Sequence, residues 1–106
     1  MNYIKFEWDE NKNKSNIKKH NVSFDEAKSV FSDDKARLIA DPEHSDLEDR
    51  FILLGMSSHV KILVISHTYK ENDEKIRIIS ARKATKNETK YYFDVLVQSK
   101  LDKLEI

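Results

Sequence analysis

The chain has 106 residues, of which 39% are hydrophobic and 36% charged. This length predicts a single domain, residues 1–106, with a modest core, and the composition is too apolar for a disordered chain. No apolar run approaches the roughly 20 residues needed to span a bilayer. The absence of cysteine excludes disulfides, thiolate nucleophiles and cysteine-type zinc sites. The first residues lack the apolar region of a secretory signal, so we expect a cytoplasmic protein with no membrane partner.

Charge is balanced overall and uneven along the chain. Lys and Arg number 19, as do Asp and Glu, which is unusual for a protein that binds a polyanion through net charge. Residues 75–90 contain six basic side chains and one acid, Glu88, whereas residues 32–50 contain seven acids and three bases. Any anion should therefore bind at the basic segment.

Two helices are predicted near the N-terminus. Asp9 can cap a polar helix through about Lys19, which His20 and Asn21 would end. Ser23 and the glutamate three residues later form a capping-box pattern that predicts a second, shorter helix. We expect both helices to precede any sheet.

The later periodicity predicts strands and one more helix. Residues 36–40, 50–56, 60–69 and 75–81 have strand patterns, and short turns join the last three. The expected fold is therefore α+β, with an antiparallel sheet of about four strands and a C-terminal helix at about 86–103. That helix has two apolar stripes. Either one core absorbs both, or the helix tail supports self-association or receives a partner.

A candidate anion site lies at the end of the last predicted strand. Arg77 and Arg82 belong to this strand, and Thr85 with Glu88 has the capping-box pattern of a helix start. The helix N-terminus adds unpaired N–H groups beside the cations, an environment that suits phosphate. The alternative is that these cations solvate the surface or pair with acids such as Asp41 or Glu48.

Five segments together resemble the BrnT family, the toxin half of bacterial type II toxin–antitoxin pairs. They are FEWD at 6–9, KHNVSFDEA at 19–27, DPEHS at 41–45, EDRF at 48–51 and IISARKAT at 78–85. The resemblance implies a RelE-like fold and an RNA-cleaving toxin that a small BrnA-like antitoxin neutralises. The family commonly has Gly where this chain has Asn21, and Asn tolerates the left-handed conformation that ends a helix.

Metal-free RNA cleavage, the implied reaction, requires groups that move protons and stabilise phosphate charge. Arg77 and Arg82 are the first candidates to hold the scissile phosphate, because guanidinium groups match phosphate oxygens. His67 and His44 are candidate acid–base groups. The alternative for His67 is a histidine partly buried and hydrogen-bonded within the sheet.

The candidates for RNA binding are Arg50, Lys83, Lys86 and Tyr91, although Arg50 could be occupied by an ion pair and Tyr91 by the core. The histidine spacing fits no metal site, and a single glycine excludes glycine-rich nucleotide loops, so we expect no cofactor. The expected partners are the antitoxin and RNA, free or on the ribosome, with a toxin homodimer inside a heterotetramer left open. A second hypothesis is a noncatalytic module, a decayed toxin that acts only within a toxin–antitoxin repressor complex.

Overall fold

The computed structural model describes residues 4–41 and 49–104. These residues form three helices and five strands, in chain order β1 Lys5–Glu7, α1 Glu10–His20, α2 Phe24–Val30, β2 Arg37–Ala40, β3 Arg50–Met56, β4 Ile62–Lys70, β5 Lys75–Lys83 and α3 Lys86–Leu104. The α+β class is confirmed. Within the described residues, no helix is long and apolar enough to cross a membrane.

The sheet differs from the prediction at its N-terminal strand. Its order is β1-β5-β4-β3-β2, with β1 parallel to β5 and the other neighbours antiparallel. The expectation of about four antiparallel strands, and of helices before any strand, is therefore wrong: the sheet is mixed and β1 precedes α1. Three residues are too few to show strand periodicity, and their partners lie about seventy positions later.

The helix boundaries follow local capping chemistry. The Asp9 carboxylate accepts hydrogen bonds from the backbone N–H groups of Asn11 and Lys12, and Asn21 ends α1 in the left-handed conformation at φ 57°. The Ser23 hydroxyl accepts the N–H of Glu26 at the start of α2. These predicted starts and stops are confirmed.

The polar helix α1 attaches to the sheet through a buried amide. The Asn16 side chain donates to the carbonyls of Val22 and Ala81, both at 2.8 Å, and accepts the N–H of Ala81 at 3.1 Å. Since β1 pairs only with residues 75–77, the far end of β5 has no strand on that side in the described part of the chain, and the Asn16 side chain supplies hydrogen-bond partners to its backbone there. This contact holds the backbone one residue before Arg82.

The two faces of the sheet are covered unequally. The face that packs against α1 and α2, here the helix-side face, contains the larger core, with Phe24, Leu63, Ile65 and Ile78 almost fully buried. The opposite face, here the α3-side face, has a smaller cluster around Leu54, Val64 and Tyr92.

Helix α3 is anchored at one buried residue. Tyr92 is its buried side chain, and the hydroxyl donates to the Asp33 carboxylate at 2.7 Å. Burial, together with this carboxylate, raises the pKa of Tyr92 to about 12. Of the two predicted apolar stripes, the one formed by Phe93, Val97, Leu101 and Leu104 is exposed, at 41–74%. A single core therefore does not absorb both stripes.

Candidate nucleic-acid interface

Arginines from three strands share the α3-side face. Arg50 of β3, Thr68 of β4 and Arg77 of β5 lie side by side in register, and Glu7 of β1 continues the row. Another row on the same face contains Arg37, Leu54, Val64 and Arg82. This face thus has basic side chains near the ends of its strands and apolar side chains between them.

A bulge brings Arg77 and Arg82 to one face. In a regular strand, residues five apart point to opposite faces. Here the pairing passes from Ser66 with Ser80 to His67 with Ile78, so β5 has one extra residue. The extra residue reverses the alternation, as bulges near functional sites often do. The two arginines predicted to hold phosphate are therefore on the same side of the sheet.

Arg77 is paired with an acid that β1 brings alongside. Its guanidinium forms an ion pair with Glu7, and Lys75 Nζ lies 3.5 Å from the same carboxylate. The hydrogen bond from Arg77 lowers the pKa of Glu7. Glu71 also contacts Lys75, at 3.0 Å. The basic segment is therefore partly neutralised, as the alternative interpretation expected, but the acids that pair with it here are Glu7 and Glu71, neither of which that interpretation named. Of the acids it named, Glu48 lies outside the described residues.

Arg82 has an equally specific partner. Its two terminal nitrogens donate to the two carboxylate oxygens of Glu88 at 2.8 and 3.0 Å. Glu88 also accepts the Thr85 N–H, and the Thr85 hydroxyl accepts the Glu88 N–H, which confirms the predicted capping box. The Arg82 contact is the main reason that the pKa of Glu88 falls to about 2. The arginine is fixed at the start of α3, with its side chain 42% exposed.

His67 lies on the other side of the sheet from both arginines. Its ring is fully buried on the helix-side face, with Nδ1 3.2 Å from the Ile65 carbonyl and Nε2 3.2 Å from the Tyr69 hydroxyl. The ring of Phe31 packs edge-on at 4.8 Å. Burial lowers the pKa of His67. The structure does not bring His67 to the arginines, and its position matches the alternative of a buried histidine hydrogen-bonded within the sheet.

The other predicted site residues are dispersed. Lys83 is exposed at the end of β5 and pairs with Leu63, so it faces the helix side, whereas Lys86 is the exposed first residue of α3. Tyr91 is 53% exposed and lines a groove of about 270 Å³ between α3 and the sheet, with Ile39, Ile52 and Leu54 among the other lining residues. His44 lies outside the described residues.

Thr68 is a polar group that sequence reasoning did not identify. Its hydroxyl oxygen is buried and has no hydrogen-bond partner within the described part of the chain. It lies in register between Arg50 and Arg77. Buried polar groups normally have partners, so this hydroxyl is a point where water or a ligand oxygen would be favoured. A threonine in a strand gives no sequence signal for this role.

Glu26 also departs from its predicted contact. The capping-box pattern places its carboxylate on the Ser23 backbone, but the carboxylate instead contacts the turn between β3 and β4. The only sequence signal for a functional role of Glu26 is its place in the KHNVSFDEA segment of the family resemblance.

Within residues 4–41 and 49–104, no group of three or more His, Cys, Asp or Glu side chains is arranged to hold a metal ion.

Comparison with known proteins identifies the family. The family model for "Ribonuclease toxin, BrnT, of type II toxin-antitoxin system" matches residues 8–88, most of the chain. The chain belongs to the BrnT family. A 1.1 Å crystal structure of the Brucella abortus ribonuclease toxin BrnT is similar in fold, with a TM-score of 0.58 and 24% identity over 79% of this chain and 100% of that chain. A search of curated proteins gave no match. Membership of this family implies an antitoxin partner.

Proposed function

We propose that this BrnT-family chain is a metal-independent endoribonuclease toxin of the cytoplasm that inhibits translation and is neutralised by a BrnA-like antitoxin. The observation that carries the proposal is the set of arginines on the α3-side face, where the bulge in β5 puts Arg77 and Arg82 on the same side of the sheet. We also propose that residues 1–106 form one RelE-like domain.

The proposed reaction uses the ribose 2′-hydroxyl as nucleophile. Its oxygen bonds to the adjacent phosphorus while the bond to the 5′-oxygen breaks, which leaves a 2′,3′-cyclic phosphate and a 5′-hydroxyl. Charge accumulates on the phosphate oxygens during this step. Fixed guanidinium groups stabilise that charge because they need no reorganisation.

The acids that pair with the arginines are compatible with phosphate binding. A guanidinium has five N–H donors, of which Arg82 gives two to Glu88 and one to the Lys83 carbonyl. The carboxylate thus holds the group in one orientation, while other N–H groups remain for a phosphate oxygen. Arg50, Lys83, Lys86 and Tyr91 are proposed to contact neighbouring nucleotides. His67 and His44 remain predicted acid–base groups, although the burial of His67 argues against direct contact with RNA.

The antitoxin is proposed to cover α3 and the adjacent arginines. Exposed apolar side chains along α3 favour a partner with an apolar surface, and acids on that partner would compete with RNA for the arginines. A toxin homodimer inside a heterotetramer is part of this proposal. The same pairing by Glu7 and Glu88 favours the second candidate, a noncatalytic module, because it neutralises the two main cations.

The deciding experiment incubates purified, antitoxin-free protein with a defined RNA in EDTA and maps the product ends. We expect 2′,3′-cyclic phosphate and 5′-hydroxyl ends from the wild-type protein. The double variant Arg77→Ala/Arg82→Ala should not cleave, and Lys12→Ala, which removes an exposed charge from α1, is the matched control. Absence of cleavage by the wild-type protein, with or without ribosomes, would favour the noncatalytic module.

A further inference from the structure

The turn between β3 and β4, residues 57–61, is built around a buried carboxylate. The Glu26 side chain is only 4% exposed, and its Oε2 accepts the Ser57 hydroxyl at 2.7 Å. The other oxygen, Oε1, lies 3.3 Å from His59 Nδ1 and 3.9 Å from Lys61 Nζ. One carboxylate from α2 therefore contacts three side chains of this turn.

The imidazole is held on one side and open on the other. The His59 side chain is 63% exposed although its Nδ1 faces Glu26. A carboxylate at Nδ1 favours the tautomer with the proton on that nitrogen, which leaves Nε2 as an acceptor. The other described histidines lack this arrangement, because His67 is buried and His20 ends α1.

The turn backbone is held in an unfavourable conformation. Val60 has φ 60°, in the left-handed region that a β-branched residue rarely adopts, and its side chain is 75% exposed. Packing of Val60 does not account for this conformation. The Ser57 hydroxyl accepts the N–H groups of His59 and Lys61 at 3.2 and 3.4 Å, and these contacts stabilise the turn. Strain of this kind is concentrated at functional sites.

The turn lies beside the end of the basic segment. Ala84 N–H donates to the Ile62 carbonyl at 2.9 Å, and Lys83 pairs with Leu63 on the helix-side face. The end of β5 therefore runs next to Lys61, which immediately precedes β4. An RNA phosphate at this end of the sheet would meet lysines from both strands.

We propose that His59 is an acid–base residue for RNA cleavage and that Glu26 positions it; this inference rests on the proposed ribonuclease function. Nε2 of His59 takes the proton of the 2′-hydroxyl as its oxygen bonds to phosphorus. The bond from phosphorus to the 5′-oxygen breaks on the opposite side of phosphorus, where a water molecule protonates that oxygen, and the imidazolium then gives its proton to the hydroxide that remains in the solvent. The imidazole ends as it began. Lys61 and Lys83 bind the phosphates next to the scissile one, while Arg82, at the same end of β5, stabilises the charge on the scissile phosphate.

The first test compares cleavage rates of the full chain on a defined RNA in EDTA between pH 5 and 8. His59→Gln should lower the rate about 10²- to 10⁴-fold, the usual contribution of acid–base catalysis. Because the side chain is exposed, the variant should keep its circular dichroism spectrum and bind the antitoxin normally. His20→Gln is the matched control and should cleave like the wild-type protein.

The outcomes separate this inference from the function on which it rests. A His59→Gln variant that cleaves within twofold of wild type, in a preparation where wild type is active, overturns the role of His59 alone. Wild-type protein that leaves the RNA intact overturns both proposals. The pH profile is a second measure, since the limb that His59 contributes should disappear in His59→Gln and persist in His20→Gln.

The positioning role of Glu26 has its own measurement. Nitrogen-15 NMR of the imidazole should show the Nδ1–H tautomer in the wild-type protein and a shift toward Nε2–H in Glu26→Gln. Since Glu26 is buried, that variant could unfold, and the wild-type spectrum then decides the question. Predominant Nε2–H in the wild-type protein would overturn the proposed positioning by Glu26.

Discussion

Replacing Arg82 with Ala should separate the contribution of this side chain to catalysis from its contribution to stability. The pKa of Glu88 falls from 4.5 to about 2 mainly because of Arg82, and a shift of this size corresponds to roughly 3 kcal/mol. Solvent screens the pair, because the two side chains are 42% and 33% exposed. We therefore expect Arg82→Ala to lower the free energy of unfolding by only about 1 kcal/mol. For a domain of this size, this lowers Tm by about 5 °C.

The pH dependence of this loss has a defined sign. The folded state lowers the pKa of Glu88, so the stabilisation is fully present above the unfolded value of 4.5 and is lost as the pH falls through about 2. In urea denaturation, the difference in the free energy of unfolding between wild type and Arg82→Ala should have its full value at pH 7 and pH 5. The difference should shrink at pH 3. A difference that grows on acidification would refute the assignment of this ion pair.

The catalytic part of the prediction is much larger than the stability part. Loss of one fixed charge contact to the reacting phosphate lowers the rate by about 10²- to 10³-fold, which a growth-inhibition assay detects. Glu88→Gln is the informative companion, since it removes the same ion pair and keeps the guanidinium. We expect it to match Arg82→Ala in stability and to cleave within tenfold of wild type. A folded Arg82→Ala variant with full toxicity would exclude Arg82 from the active site.

Three further variants test the packing on which the site depends. In Gly55→Ala the new methyl group would lie 2.8 Å from two neighbouring side-chain carbons. Urea denaturation should therefore show that the free energy of unfolding falls by about 1–3 kcal/mol. An unchanged midpoint would contradict this crowding. Tyr92→Phe removes the hydrogen bond to the Asp33 carboxylate, so it should lower the free energy of unfolding by about 1–3 kcal/mol. It should also make α3 more sensitive to proteolysis, and equal digestion rates would contradict this anchoring. Burial lowers the pKa of His67, so wild type should lose stability as the pH falls below about 6.5, and His67→Gln should lack this dependence. A His67→Gln variant that folds normally but loses a limb of the cleavage pH profile would restore His67 as an acid–base candidate.

Local chemistry made the helices predictable. Asp9, Asn21 and Ser23 act within four residues of the backbone groups they contact, so the sequence contains the whole signal. The reciprocal Thr85–Glu88 contact is similar. Strand β1 carries no such signal, because three residues become a strand only by pairing with β5. Missing β1 also concealed Glu7, the acid that pairs with Arg77.

The candidate site was predictable in composition and not in arrangement. Strand alternation already placed His67 on the face of Leu63 and Ile65, which proved to be the buried core face. The bulge in β5 determines which face Arg77 occupies, and no residue type near Ile79 indicates it. Likewise, the contact between Glu26 and the turn depends on how α2 docks against the sheet, a long-range packing outcome.

The balanced charge of the chain is compatible with RNA binding because its acids orient the cations. A flexible surface arginine loses side-chain entropy when it grips phosphate, whereas Arg82 is already fixed by Glu88. Phosphate then has to compete with a carboxylate, which weakens nonspecific attraction to any polyanion. Selectivity would come from an RNA shape that reaches the arginines of the α3-side face and the β3–β4 turn together. An acidic antitoxin faces the same competition, so the exposed apolar stripe of α3 would have to supply much of its affinity.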